Sequence, residues 1–147
     1  MAVTYDVVDD GRVVLQYWSG QVTRDEVVAH EHQHLTDPRI TPRASVIVDA
    51  RQAQFGIAEH EVRDIIDGLY ALYPHPLKIK KCALLVNDVT YPLAQAYEAS
   101  GGKYGLNIVA FHSLDIACTW LGLDAKMVSS HLERLRQVRA ALPREPS

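Results

Sequence analysis

The stretch His30-Glu31-His32-Gln33-His34 carries the most chemistry per residue in this chain. It matches the H-E-x-x-H pattern of zinc hydrolases. On a helix, His30 and His34 lie one turn apart and can share a tetrahedral zinc, with Glu31 beside them as general base. A hydrolytic zinc needs a third protein ligand. The next residues, Leu35-Thr36-Asp37-Pro38, supply none, and His60 with Glu59 or Glu61 serves only if two helices adjoin. The stretch is therefore read as a solvated polar helix face. A metal site at His30 and His34 and a zinc hydrolase using Glu31 are the alternatives.

A second set of polar residues follows three apolar runs. Val46-Ile47-Val48 leads into Asp49-Ala50-Arg51, Cys82-Ala83-Leu84-Leu85-Val86 into Asn87-Asp88, and Ile108-Val109-Ala110-Phe111 into His112-Ser113. Ligands of open α/β sheets favour the crevice beyond the carboxyl ends of parallel strands. Asp49, Arg51, Asn87, Asp88, His112 and Ser113 are thus candidates for a polar ligand or a partner's charged loop. The competing reading is structural, because Asp, Asn and Ser there also satisfy turns and helix amides. No nucleophilic triad can be assigned: Cys82 lies deep in its apolar run, and His112 has no identifiable nucleophile.

The elements that must position these residues are legible. Val3–Val8 and Val13–Trp18 alternate around Asp9-Asp10-Gly11, a hairpin turn in which Gly accepts positive φ. Ser19-Gly20 is read as the hairpin's end, and Thr23 and Glu26 fit a capping box before a helix to about Leu35. Asp37-Pro38 stops that helix, and a third strand spans Ser45–Asp49. Ala58, Val62, Ile65, Ile66, Leu69 and Leu72 make one helical stripe, ended by Pro74 and Pro76. Cys82–Val86 and Ile108–Phe111 are the remaining strands. Pro92 opens the helix between them, and Gly101-Gly102 stops it. Ser113 and Asp124 cap two further helices, the last ending near Leu142. The order predicts an α/β fold: a five-stranded mixed sheet, antiparallel at the start and parallel thereafter.

Composition narrows the function classes. At 147 residues the chain is read as one domain, 1–147, with a core over 3–122, a C-terminal helix over 124–142 and a frayed tail at 143–147. A hydrophobic fraction of 48% and a charged fraction of 22% are ordinary for a globular protein. The net charge of −3 argues against nucleic acid. Lys78, Lys80 and Lys81 are read as a solvated strand entry. No apolar stretch approaches the ~20 residues that span a bilayer, and the N-terminus does not read as a signal peptide. Cys82 and Cys118 are read as reduced core thiols of a cytoplasmic protein. Val128, Leu132, Leu135, Val138 and Leu142 form an apolar stripe that either packs on its own sheet or makes a homodimer contact.

In this order and with these fillings the chain resembles the STAS-like family, the sporulation anti-anti-sigma-factor-like domains, in particular a small stand-alone branch grouped with SEC14-type domains. Four segments carry the likeness. They are Gly20–Glu26, Asp37-Pro38-Arg39 followed by Val46–Arg51 and Phe55, Tyr91–Glu98, and Ile108–Leu121. The resemblance implies helices mainly on one face of a mixed sheet, and partner binding or regulation rather than catalysis. Signalling relatives carry a phosphorylatable Ser at the start of the helix after the third strand. Here the stretch reads Phe55-Gly56-Ile57-Ala58-Glu59-His60, so the phospho-switch is not carried over. The SEC14-type likeness implies a pocket for a small apolar or lipid-like ligand. The expected protein is a non-enzymatic binding or regulatory module without a cofactor, dimeric, with a protein partner or a small apolar ligand.

Overall fold

The computed structural model describes residues 2–73 and 80–142. Pro74, Pro76, Lys78 and the tail 143–147, all invoked above, lie outside the described residues. Five strands form one sheet in the order β1-β2-β3-β4-β5: Val3–Val8, Val13–Val22, Ser45–Phe55, Lys81–Leu85 and Ile108–Phe111. β1 pairs antiparallel with β2, and every later pairing is parallel.

This topology dictates where the helices go. Right-handed crossovers between parallel strands that always step in one direction deliver each connecting helix to the same face. The helices α1 (Arg24–Thr36), α2 (Glu59–Leu72) and α3 (Tyr91–Gly102) connect those strands and share one face. The opposite face is covered by α4 (Leu114–Leu121) and α5 (Ala125–Ala141), which follow the last strand. Val13, Leu15, Tyr17, Ile47 and Leu85 pack under Cys118, Val128 and Leu132 on that side. Trp18, Val22 and Ala53 pack under Val27, Ile65 and Leu69 on the other.

Local signals are realised as chemistry. The Thr23 hydroxyl accepts from the Glu26 amide at 3.2 Å, and the Glu26 carboxylate accepts from the Thr23 amide at 3.1 Å. Asp37 closes the far end of α1. It accepts from the Tyr5 hydroxyl at 2.7 Å and from the Arg39 guanidinium, also at 2.7 Å. The Arg39 side chain holds this carboxyl well below the usual carboxylate range. Ser113 and Asp124 cap α4 and α5 as expected, accepting from Ile116 and Lys126.

Three expectations are corrected. The hairpin does not end at Ser19-Gly20, because β2 continues to Val22. Asp49 does not end β3, which runs to Phe55 paired with β2 alone. The polar residues mark a bulge instead: Tyr17 faces Asp49 and Ser19 faces Gln52, so Ala50 and Arg51 oppose Trp18. The Asp49 carboxylate accepts the Arg51 amide at 3.2 Å within the bulge. Finally, Lys81 is no free solvated charge. Its ammonium donates to the Trp120 carbonyl at 3.1 Å and sits 4.9 Å from that ring's centre.

The hairpin turn packs close against the segment after α1. Asp9, Asp10 and Gly11 all have positive φ, 52°, 53° and 86°. The Gly11 carbonyl accepts from the amide and the hydroxyl of Thr41, both at 2.9 Å. A Cβ at Gly11 would stand 2.1 Å from the Arg39 carbonyl oxygen. Gly11→Ala is expected to cost about 2–4 kcal/mol through positive φ and this clash. Urea unfolding measures it, and an unchanged midpoint would contradict the packing described here.

Candidate ligand cavity under the first three helices

The inward face of α1 is set by period, not by polarity. Starting from buried Val27, helical spacing turns residues 30, 31 and 34 toward the sheet. His30 and His34 are each only 2% exposed, so the solvated-face reading is corrected. The His30 ring stands edge-on between Tyr5 and Trp18, at 5.3 and 5.1 Å between ring centres. Neither of its nitrogens has a hydrogen-bond partner among the described residues. Burial pushes the imidazole down to about 3, so it packs as a neutral ring. The His30 and His34 rings are 6.5 Å apart between centres. Among the described residues no group of three or more His, Cys, Asp or Glu side chains is placed to hold a metal. The donor set of a zinc hydrolase is therefore not assembled from these elements.

Glu31 has a different outlook. It borders a cavity of about 120 Å³ between the sheet and α1–α3. The sheet contributes Trp18, Val46, Cys82, Leu84 and Ile108. Ile66, Leu69 and Tyr70 of α2 form one wall, and Leu93, Ala94 and Tyr97 of α3 another. The lining is overwhelmingly apolar. Gln16, which also reaches it, is occupied by the Trp18 indole N–H at 3.1 Å. Thr90 likewise is engaged with Asn87. The Glu31 carboxyl has no ion-pair or hydrogen-bond partner among the described residues, and the residue lines the cavity.

Burial pushes the Glu31 carboxyl up from its ordinary 4.5 to about 7. Burial also raises the Cys82 thiol and the Tyr97 phenol, and the Glu31 charge adds to both shifts. The three groups thus act on one another through the same apolar space. Each of the latter two stays neutral near pH 7.

The rim residues singled out from the sequence are placed otherwise. Asp49, 5% exposed, is bound two-fold by Arg51, at 2.9 Å from Nε and 3.0 Å from Nη2. The Asn87 side-chain amide donates to the Arg51 carbonyl at 3.0 Å, which ties β3 to the loop after β4. Asp88 and His112 meet at 3.2 Å on the surface, and His112 rests against Tyr91. Ser113 is spent on its cap. Asp49 and Arg51 border a polar groove on the α4–α5 face with Tyr17, Glu133 and Arg136. There Arg136 is paired with Glu133 in turn. The structure therefore joins Asp49, Arg51 and Asn87 in one network, and Asp88 with His112 in another. The first network meets the apolar cavity only at its edge, where Asn87 is bonded to Thr90.

The SEC14-type likeness implied an apolar pocket but none of its residues, and Glu31 was assigned to solvent by type. The available signal was the spacing Val27-Glu31-His34, continued from a buried position.

Folded and unfolded chains hold the Glu31 proton differently, which gives a pH signature. Its contribution to stability is whole below pH 4.5 and is lost as pH rises through about 7, roughly 3 kcal/mol in all. His30 has the opposite sense: its contribution is whole above pH 6.5 and is lost as pH falls toward 3. Glu31→Gln is expected to raise unfolding free energy by about 3 kcal/mol near pH 8.5 and to change it little near pH 4. Chemical denaturation at the two pH values checks this; equal effects at both would contradict a half-buried, cavity-lining carboxyl.

No family model matches the chain, and no curated protein matches it. Among solved structures it is similar to an uncharacterised protein of the DUF3478 family from Shewanella loihica, which has a SpoIIAA-like fold. The two are 16% identical with a TM-score of 0.51, over 82% of this chain and 92% of that one. The likeness shows a SpoIIAA-like fold, in agreement with the STAS-like resemblance read from the sequence.

Proposed function

We propose that this SpoIIAA-like chain is a non-enzymatic binding module that carries or senses a small apolar molecule in the cavity under α1–α3. The observation that carries the reading is the cavity itself: apolar over nearly all its lining, and edged by the Glu31 carboxyl. Its volume of about 120 Å³ approaches the ~150 Å³ of engineered apolar cavities that stay dry and take up benzene. By contrast, the charges at the polar groove are already paired, so a polar ligand there must first break an ion pair. The turn Gly56-Ile57-Ala58 before α2 offers no hydroxyl, which supports a module without a phospho-switch.

The test is titration of the purified full chain with toluene, followed by amide chemical shifts. Saturable shifts at Leu69, Ala94 and Tyr97 are expected, with a rise in melting temperature. Ala94→Leu, which fills the space, is expected to abolish both. Toluene that leaves these amides unmoved at saturation would remove the reading.

Two finer readings go with it. The exposed pair Asp88 and His112 offers a contact for a protein partner. On α5, Val128, Leu132 and Leu135 pack against the sheet, while Val138 and Leu142 stay 47% and 40% exposed, which favours a homodimer through the end of that helix. Light scattering is expected to give twice the chain mass, and Val138→Glu with Leu142→Glu to halve it. A wild-type monomer at high micromolar concentration would dismiss the dimer. Cys82 and Cys118 are both free and buried, which supports a cytoplasmic setting. No helix among the described residues is long and apolar enough to cross a membrane.

A further inference from the structure

We propose that the cavity takes a small apolar amine, its ammonium on the Glu31 carboxylate and its apolar body against Trp18, Tyr70 and Tyr97. This rests on the reading of the cavity as a ligand site and adds the chemistry of the ligand's head.

Folded proteins pair their buried polar groups almost without exception, and charged ones most of all. A half-buried carboxyl at the edge of an apolar cavity marks where a donor from outside belongs. The sign of that donor follows from the wall. Among the described residues no lysine or arginine lines the cavity. The titratable groups around Glu31 are His34 on its own helix, Cys82 on β4, Tyr70 on α2 and Tyr97 on α3. The two phenols and the thiol are acids and supply no positive charge in either form, which leaves His34 as the one basic side chain on the wall. A carboxylate-headed ligand would meet Glu31 with like charge. An ammonium meets it with opposite charge and a charge-assisted hydrogen bond, in surroundings of low dielectric.

The apolar lining fits the same occupant. Aromatic faces attract a cation that has shed its water. The cavity's volume suits a single ring or a short branched chain, and is too small for a long acyl chain. Binding of such an amine converts Glu31 from its half-protonated state to the carboxylate, so it sheds a proton near neutral pH.

Four probes of one shape separate the possibilities: benzylamine, benzyl alcohol, toluene and benzoate, titrated calorimetrically into the full chain and into Glu31→Gln. Benzylamine is expected to bind the wild-type chain about tenfold or more tighter than toluene, with benzoate weakest. Its binding heat at pH 7 should vary with buffer ionisation enthalpy, reporting the released proton. In Glu31→Gln the amine's advantage and the buffer dependence should vanish while toluene still binds. Toluene binding without preference for benzylamine would overturn the amine assignment and leave the cavity reading standing. Binding by none of the four would overturn both. An amine preference that survives Glu31→Gln would place the ammonium elsewhere and overturn the role of Glu31.

Discussion

The stretch Val13–Trp18 is buried along its whole length, and the rest of the molecule depends on that. It holds β1 on one edge and β3 on the other, with helices above and below. A strand buried on both faces cannot spare a polar side chain without a partner. Gln16 is therefore matched to the Trp18 indole, and the other positions are apolar or aromatic. Because the parallel strands step away from β2 in one direction, their crossovers fall on one side. That leaves the far side to α4 and α5, and confines the cavity to the layer beneath α1–α3.

Much of this was legible. The hairpin turn, the Thr23–Glu26 box, the α2 stripe, the β5 run and the Ser113 and Asp124 caps each follow from local chemistry. Two features were not. Asp49-Ala50-Arg51 looks like a strand end because polar residues normally leave a sheet, yet here a carboxylate serves the bulge and lets β3 run on. His30, Glu31 and His34 look like a wet surface because of their types. Helix geometry outranks type when a neighbouring turn, at Val27, is already anchored in the core. Of the candidate rim, single residues suggested convergence, while pairing between them absorbed their valences.

Glu31 therefore stands at odds with its surroundings. Apolar neighbours disfavour its charge, whereas the two buried carboxyls, Asp37 and Asp49, are held by Arg39 with Tyr5 and by Arg51. Asp37 locks α1 at its end, and Glu31 leaves the middle of the same helix under electrostatic tension.

The spatial order of the strands repeats their order in the chain, so every strand docks beside the one made just before it. During synthesis the sheet can be laid down as it emerges, without reserving a gap for a later arrival. The exception is the far face. The Thr4 hydroxyl donates to the Leu135 carbonyl at 3.1 Å, a contact spanning 131 positions. The oldest strand thus waits with that side open to water until α5 has been made. Until that loop closes, Val13, Leu15 and Ile47 lack the cover that Val128 and Leu132 give them in the finished fold.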